Sequence, residues 1–194
     1  MILDNKLNIT NQVELAKAEE KISKQKAKQL FDSGDIAKVD VGTFVGLAFI
    51  HAYLFEDIYH FAGKIRDVNI AKGNFRFAPL MYLQPSLKHI DAMPQGNFDE
   101  IIEKYVEMNI AHPFMEGNGR SARIWLDLIL KKRLEKCVDW SQISKQDYMN
   151  AMMLSPTRSN TLKILLEQAL TDKINDREMF MKGIDYSYYY EENN

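Results

Sequence analysis

The sequence predicts an all-α fold, a helical bundle carrying a single β-hairpin. Long stretches repeat apolar residues at helical spacing, above all Phe44 to Tyr59 and Asn118 to Glu135. Helix punctuation flanks such stretches, with Asn11 and Asn97 placed as N-caps and Gly34 as a C-terminal stop. Only the segment around Lys72-Gly-Asn74 alternates polar and apolar residues across a turn.

The elements follow in order. Asn11 caps a helix from about Gln12 to Ser33, whose charged middle, Lys17 to Lys28, reads as a solvated face. Asp40-Val-Gly-Thr43 starts a second helix. Its apolar face holds Phe44, Leu47, Ala48, His51, Leu54, Phe55, Ile58 and Tyr59. His51 on that face is expected to be a core histidine bonded to a neighbour. Phe61-Ala-Gly63 ends the helix. Lys64 to Ile70 then reads as a short strand, Lys72-Gly-Asn74 as a turn, and Phe75 to Pro79 as the return strand. Pro85 to Ala92 suits a short helix. Asn97 caps another from Phe98 to Ala111, stopped by His112-Pro113 because proline disfavours helix before it. A long helix from Asn118 to Glu135 is apolar over most of its circumference and is expected in the core. Cys137 beside it reads as a small buried residue. Further helices are expected near Lys145–Leu154, Asn160–Thr171 and Asp176–Met181, with one more short helix in the tail from Asp185.

Composition bounds the function. The chain has 194 residues, 46% of them hydrophobic, enough for one domain with a sizeable core. A net charge of −2 argues against non-specific nucleic-acid binding, which needs a basic face. The lone Cys137 rules out an intrachain disulfide and fits a reducing compartment. The first residues lack the basic-then-apolar pattern of a secretion signal, and no apolar run reaches membrane-spanning length. The expectation is a cytoplasmic protein with neither nucleic acid nor membrane as partner.

The chemistry concentrates in His112-Pro-Phe-Met-Glu-Gly-Asn-Gly-Arg120 and the helix that follows. A glycine-rich turn opening a helix attracts an anion, because unpaired N–H groups and the helix dipole both point at it. Gly117, Asn118 and Gly119 let backbone approach such an anion closely. Arg120 and Arg123, three apart, share a helix face. Glu116 is a hard oxygen ligand suited to magnesium when phosphates supply other ligands. His112 has the ordinary pKa of a general base near neutral pH. Together these groups fit a polyphosphate, with His112 activating a hydroxyl on a second substrate. No good nucleophile is present, so a covalent enzyme intermediate is not indicated. The segment lacks the lysine pattern of a Walker loop. Eight fixed identities arise by chance with a probability of about 10⁻¹⁰ per position at average composition.

These residues resemble the Fic family, whose signature His-x-Phe-x-Asp/Glu-Gly-Asn-Gly-Arg-x-x-Arg is matched throughout His112 to Arg123. Ile50-His-x-x-Leu-Phe55, Phe61-Ala-Gly-Lys-Ile-Arg66 and Lys72-Gly-Asn-Phe-Arg-Phe77 extend the resemblance to about Ile36–Leu170. It implies a Fic-type helical bundle with a β-hairpin flap, and a protein adenylyltransferase using ATP and Mg2+. It implies that His112 deprotonates a target Tyr, Ser or Thr. Glu116 holds the metal, and Gly117, Asn118 and Gly119 form the anion hole. Arg120 and Arg123 bind the outer phosphates, and Phe114 anchors the loop. The flap, Lys72, Gly73, Asn74, Phe75, Arg76 and Phe77, docks the target as an added strand.

Small Fic proteins can also carry a C-terminal inhibitory helix with Ser/Thr-x-x-x-Glu-Gly/Asn-Asn. Ser187, Glu191 and Asn193 match it, whereas Glu192 replaces the Gly or Asn. The resemblance thus divides the chain into residues 1–183, a Fic domain with its N-terminal helix, and 184–194, an autoinhibitory helix in which Glu191 pairs with Arg123. Glu192 at a helix end costs roughly 1 kcal/mol relative to glycine, so a looser lid is expected. Tyr186, Tyr188, Tyr189 and Tyr190 stand beside the site as candidates for automodification. DNA gyrase or topoisomerase IV is the target that the resemblance suggests. Alternatives are a phosphotransferase similar to the Doc toxin, removal of AMP, or the toxin of a toxin–antitoxin pair. The resemblance leaves open a homo-oligomer.

Overall fold

The computed structural model describes residues 2–73 and 75–191. Asn74, Glu192 and Asn193, all named above, lie outside the described residues. In chain order the α-helices are α1 (Gln12–Asp32), α2 (Phe44–Phe55), α3 (Leu80–Ala92), α4 (Phe98–Ala111), α5 (Asn118–Leu134), α6 (Lys145–Leu154), α7 (Asn160–Gln168) and α8 (Arg177–Glu191). Four two-residue strands pair antiparallel: β1 (Ala71–Lys72) with β2 (Phe75–Arg76), and β3 (Cys137–Val138) with β4 (Leu170–Thr171). The fold is the expected all-α bundle with a small hairpin.

Cap chemistry sets the helix starts. Asn11 accepts from the N–H groups of Val13 and Glu14, Thr43 from Gly46, and Asn97 from Glu100. Each satisfies a donor that the first helical turn leaves unpaired. Helix α5 threads the middle and packs on α2, α4 and α8. Its Ile124, Trp125, Leu126, Ile129 and Leu130 are all buried. Each such side chain contributes about 1.5–3 kcal/mol. The Trp125 ring also donates to the Thr43 carbonyl, tying α5 to the start of α2. Lys131, Lys132 and Arg133 close α5 with charge that suits its negative end.

Several boundaries differ from expectation. Helix α2 ends at Phe55, and Ile58 and Tyr59 reach the core from a turn instead. Lys64 to Ile70 is not a strand. Arg66 turns inward and its backbone N–H donates to the Pro113 carbonyl, so this segment binds the loop after α4. Helix α3 starts five residues before Pro85, which sits inside it. Proline there removes only the bond to Met81, an exposed residue whose carbonyl can take solvent. Helix α7 stops at Gln168 because Leu170 and Thr171 pair with Val138 and Cys137. The segment near Asp176–Met181 and the tail form one unbroken helix rather than two. The charged middle of α1 is not wholly solvated, since Glu19 and Ser23 are buried. No helix among the described residues is long and apolar enough to cross a membrane.

Candidate active site

Helix α4 ends at His112, which adopts a left-handed conformation at φ 48° and ψ 64°. That backbone strains a residue with a side chain. Arg66 stabilises it. The buried guanidinium donates to the carbonyls of His112 (2.8 Å), Ala111 (3.2 Å), Val68 (2.7 Å) and Ala78. One side chain thereby fixes both the turn at His112 and the base of the hairpin.

The loop then closes on itself. The side-chain oxygen of Asn118 accepts from the Phe114 N–H at 2.9 Å, and its amide donates to the Phe114 carbonyl at 2.8 Å. Phe114 is fully buried and stacks on His51, ring centroids 3.8 Å apart. Gly117 precedes α5 at φ 77°, and a Cβ there would lie 2.5 Å from the Phe55 ring. No side-chain hydrogen bond from the cap residue Gly117 closes the start of α5, whose first-turn N–H groups have no intrahelical partner.

His51 is the buried core histidine expected, bonded to its neighbours, and one of those bonds reaches the site loop. Its Nδ1 accepts from the Gly63 N–H at 2.9 Å. Its Nε2 therefore carries the proton and donates to the Glu116 carbonyl at 2.8 Å. Burial lowers its pKa to about 4, keeping it neutral.

The charged groups converge above the turn. Arg120 and Arg123 are both buried. Glu191 from α8 lies between them, 3.2 Å from Arg120 Nε and 3.5 Å from Arg123 Nη1. Those same two nitrogens are the buried side-chain atoms without a hydrogen-bond partner among the described residues. The carboxylate is close enough for charge attraction but badly aimed for hydrogen bonding. Burial opposes its ionisation, yet Arg120, Arg123 and Lys72 hold the Glu191 carboxyl below its usual range. A Cβ on Gly119 would lie 2.5 Å from the Glu191 carboxylate, so the bare glycine makes room for it. Arg123 also donates to the Tyr148 hydroxyl at 3.3 Å.

Glu116 is half-exposed. It pairs with Arg120 and accepts from the Gly117 N–H at 3.0 Å. Burial and the Glu191 charge push its carboxyl up. No group of three or more His, Cys, Asp or Glu that could hold a metal occurs among the described residues. A lone carboxylate at the mouth of an anion turn fits magnesium only as part of a nucleotide complex. His112 is half-buried, and Phe77 of the hairpin stacks on its ring at 3.6 Å. Burial lowers its pKa to about 4. Lys72 is close enough to act electrostatically on His112, Glu116 and Glu191. Gly73, Phe75 and Arg76 continue the flap beside it.

The helix-end residues part ways. Ser187 is buried and donates to the Gly183 carbonyl of its own helix at 2.6 Å. Tyr188 reaches Arg120, Ser23 and Glu19, while Tyr190 is buried and donates to the carbonyls of Trp140 and Ile143. Tyr186 is partly covered and Tyr189 is exposed.

The family model that matches residues 44–130 is that of the Fic/DOC family. Residues 44–130 form a Fic domain. Among curated proteins, the chain is similar to the protein adenylyltransferase VbhT of Bartonella schoenbuchensis, at 28% identity over 95% of this chain. The match spans only 40% of VbhT's length. It is also 25% identical to the probable protein adenylyltransferase y4lH of Sinorhizobium fredii, over 79% of this chain and 83% of that one. Among solved structures, BepC of Bartonella tribocorum with bound AMPPNP superposes with a TM-score of 0.70. It is 19% identical and the match covers 88% of this chain and 93% of that one, a likeness of fold. The hairpin β1–β2 and the loop from His112 to Arg123 both belong to this Fic domain, whereas α1 and α8 lie outside the matched segment.

Proposed function

We propose that this chain is a protein adenylyltransferase. It would move AMP from ATP to a Tyr, Ser or Thr hydroxyl of a target protein and release pyrophosphate. Two relatives bear that name, and one observation carries the reading furthest. Two buried guanidiniums each hold an N–H with no hydrogen-bond partner among the described residues, and both N–H groups lie beside the Glu191 carboxylate near the glycine turn. Polyphosphate oxygens would complete them.

Each group then has a task. Neutral His112 takes the proton from the target hydroxyl as its oxygen bonds to the α-phosphorus and the bond to pyrophosphate breaks. Arg120, Arg123 and the backbone of Gly117, Asn118 and Gly119 orient the phosphates and neutralise developing charge. Glu116 would hold magnesium, which supplies further charge neutralisation when bound with the nucleotide. The hairpin would seat the target segment by strand addition. Glu191 would occupy the space of an outer phosphate, so the segment 184–194 would serve as an inhibitory tail, with Ser187 holding the last turns of α8 before Glu191. Tyr189, exposed on that end, is the tyrosine best placed for automodification once it loosens. The protein would act in the cytoplasm, with DNA gyrase or topoisomerase IV as the first targets to try.

The test uses α-labelled ATP and magnesium, with cell lysate and with purified gyrase and topoisomerase IV. Intact protein is expected to label weakly, Glu191→Gly strongly, and Glu191→Gly with His112→Ala not at all. Transfer of γ-label in place of α-label would make the enzyme a phosphotransferase. Equal labelling by the first two proteins would sink the inhibitory role of Glu191.

A further inference from the structure

Helix α1 lies outside the Fic segment, yet it sends one carboxylate into the site. Glu19 is 6% exposed on a helix whose neighbouring charges face solvent. Its Oε1 accepts from Arg120 Nη1 and from the Tyr188 hydroxyl at 3.1 Å, and its Oε2 accepts from the Tyr59 hydroxyl. The Arg120 guanidinium also lies over two rings, 5.3 Å from that of Phe55 and 4.9 Å from that of Tyr188. Nη1 is thus turned away from the turn. Nη2 meets Glu116, and Nε points at Glu191 without a hydrogen bond.

A guanidinium is a planar fork, so fixing one nitrogen fixes where the other two point. An arginine with no partner on its far side has free torsions and a nearby carboxylate, Glu116, onto which it can fold. We propose that Glu19 is a positioning residue: from α1 it aims the Nε and Nη2 edge of Arg120 at the phosphate site. This rests on reading the His112–Arg123 loop as that site. Tyr188 shares Glu19 only while α8 is docked, whereas Tyr59 belongs to the Fic segment. Tyr59 therefore keeps Glu19, and through it Arg120, in place when the end of α8 leaves.

The test is made in the full chain carrying Glu191→Gly, so that the site is open. Binding of AMPPNP with magnesium is measured by calorimetry, and KM for ATP and kcat by α-label transfer. Glu19→Met matches the side chain's length but offers no acceptor. It is expected to weaken nucleotide binding about tenfold, with KM rising in step and kcat within about threefold. Glu19→Gln keeps an acceptor for Nη1 and is expected to stay within about threefold of the parent. Unchanged or tighter binding by Glu19→Met would overturn the proposal. So would equal losses in both variants, since charge alone would then account for the effect. If Glu19→Met shows no cooperative melting, Tyr59→Phe takes its place. That variant frees one oxygen of Glu19 and is expected to weaken binding about threefold, and unchanged binding refutes the proposal. Failure of the Glu191→Gly parent itself to bind AMPPNP would instead overturn the phosphate reading of the loop, and this proposal with it.

Discussion

Phe77 lies face to face with His112, ring centroids 3.6 Å apart and planes 16° apart. The flap therefore does more than border the site, because it supplies one wall against which the imidazole rests. Among the described residues, the hydrogen bond on the His112 ring is a long one of 3.3 Å between Nδ1 and the Asn109 carbonyl, which orients it weakly. Phe77→Ala is expected to lower kcat of AMP transfer about tenfold while leaving KM for ATP nearly unchanged. Steady-state kinetics in the Glu191→Gly background measure both.

The pH profile carries the second prediction. Burial takes His112 from its ordinary value to about 4. Glu191 raises that value, so its removal lowers it further. A base whose pKa is depressed is already proton-free at pH 5.5. Glu191→Gly is therefore expected to show kcat/KM without an ascending limb between pH 5.5 and 7.5. A limb near the ordinary histidine value of about 6.5 would contradict the assignment.

His51 links Gly63 to Glu116 through both ring nitrogens. His51→Ala removes a buried side chain and leaves the part-buried Gly63 N–H and Glu116 carbonyl without it, a cost of about 2–4 kcal/mol in urea unfolding. The same histidine makes folding sensitive to acid. Its folded pKa, about 4, lies below the unfolded value of about 6.5. Between those values the unfolded chain binds more protons, so stability falls as pH falls. His51→Gln is expected to lose less stability than the parent between pH 6.5 and 4.5.

Gly117 is constrained twice, by its φ of 77° and by the Phe55 ring where a Cβ would stand. Gly117→Ala is expected to destabilise the chain by about 1–3 kcal/mol. Adding Phe55→Leu makes space but leaves the backbone strain, so it should recover only part of that loss. Denaturant midpoints of the two variants test this.

Most of the fold was legible because caps and periodicity are local signals. Asn97 and His112-Pro113 bound α4 at the residues expected. The misjudged elements depend on distant partners. Lys64 to Ile70 alternates like a strand, yet Arg66 has four carbonyls to satisfy and pulls the segment inward. Leu170 and Thr171 leave helix because Val138 and Cys137 offer an edge. The glycine turn with Arg120 could be read from eight clustered residues, and Arg123 from its place three further along the helix. Glu19 could not, because a glutamate among the charges of Lys17 to Lys28 carries no mark of the arginine 101 positions away. His51 was legible as a bonded core histidine from its place on an apolar face, but its partner Glu116, 65 positions away, was not.

Helix α8 is unbroken from Arg177 to Glu191, with Tyr190 pinned by two carbonyls and stacked on Tyr148. Freeing its end by backbone movement means melting the last turn and drawing Tyr190 out of the core. Such a step absorbs heat, so the open fraction grows with warming. The intact protein's transfer rate is expected to rise more steeply with temperature than that of Glu191→Gly, whose site is open throughout. Parallel Arrhenius slopes would mean that Glu191 departs by side-chain rotation alone. If Glu191 inhibits as proposed, the chain would be a thermal rheostat, whose resting output is set by how far one helix end frays.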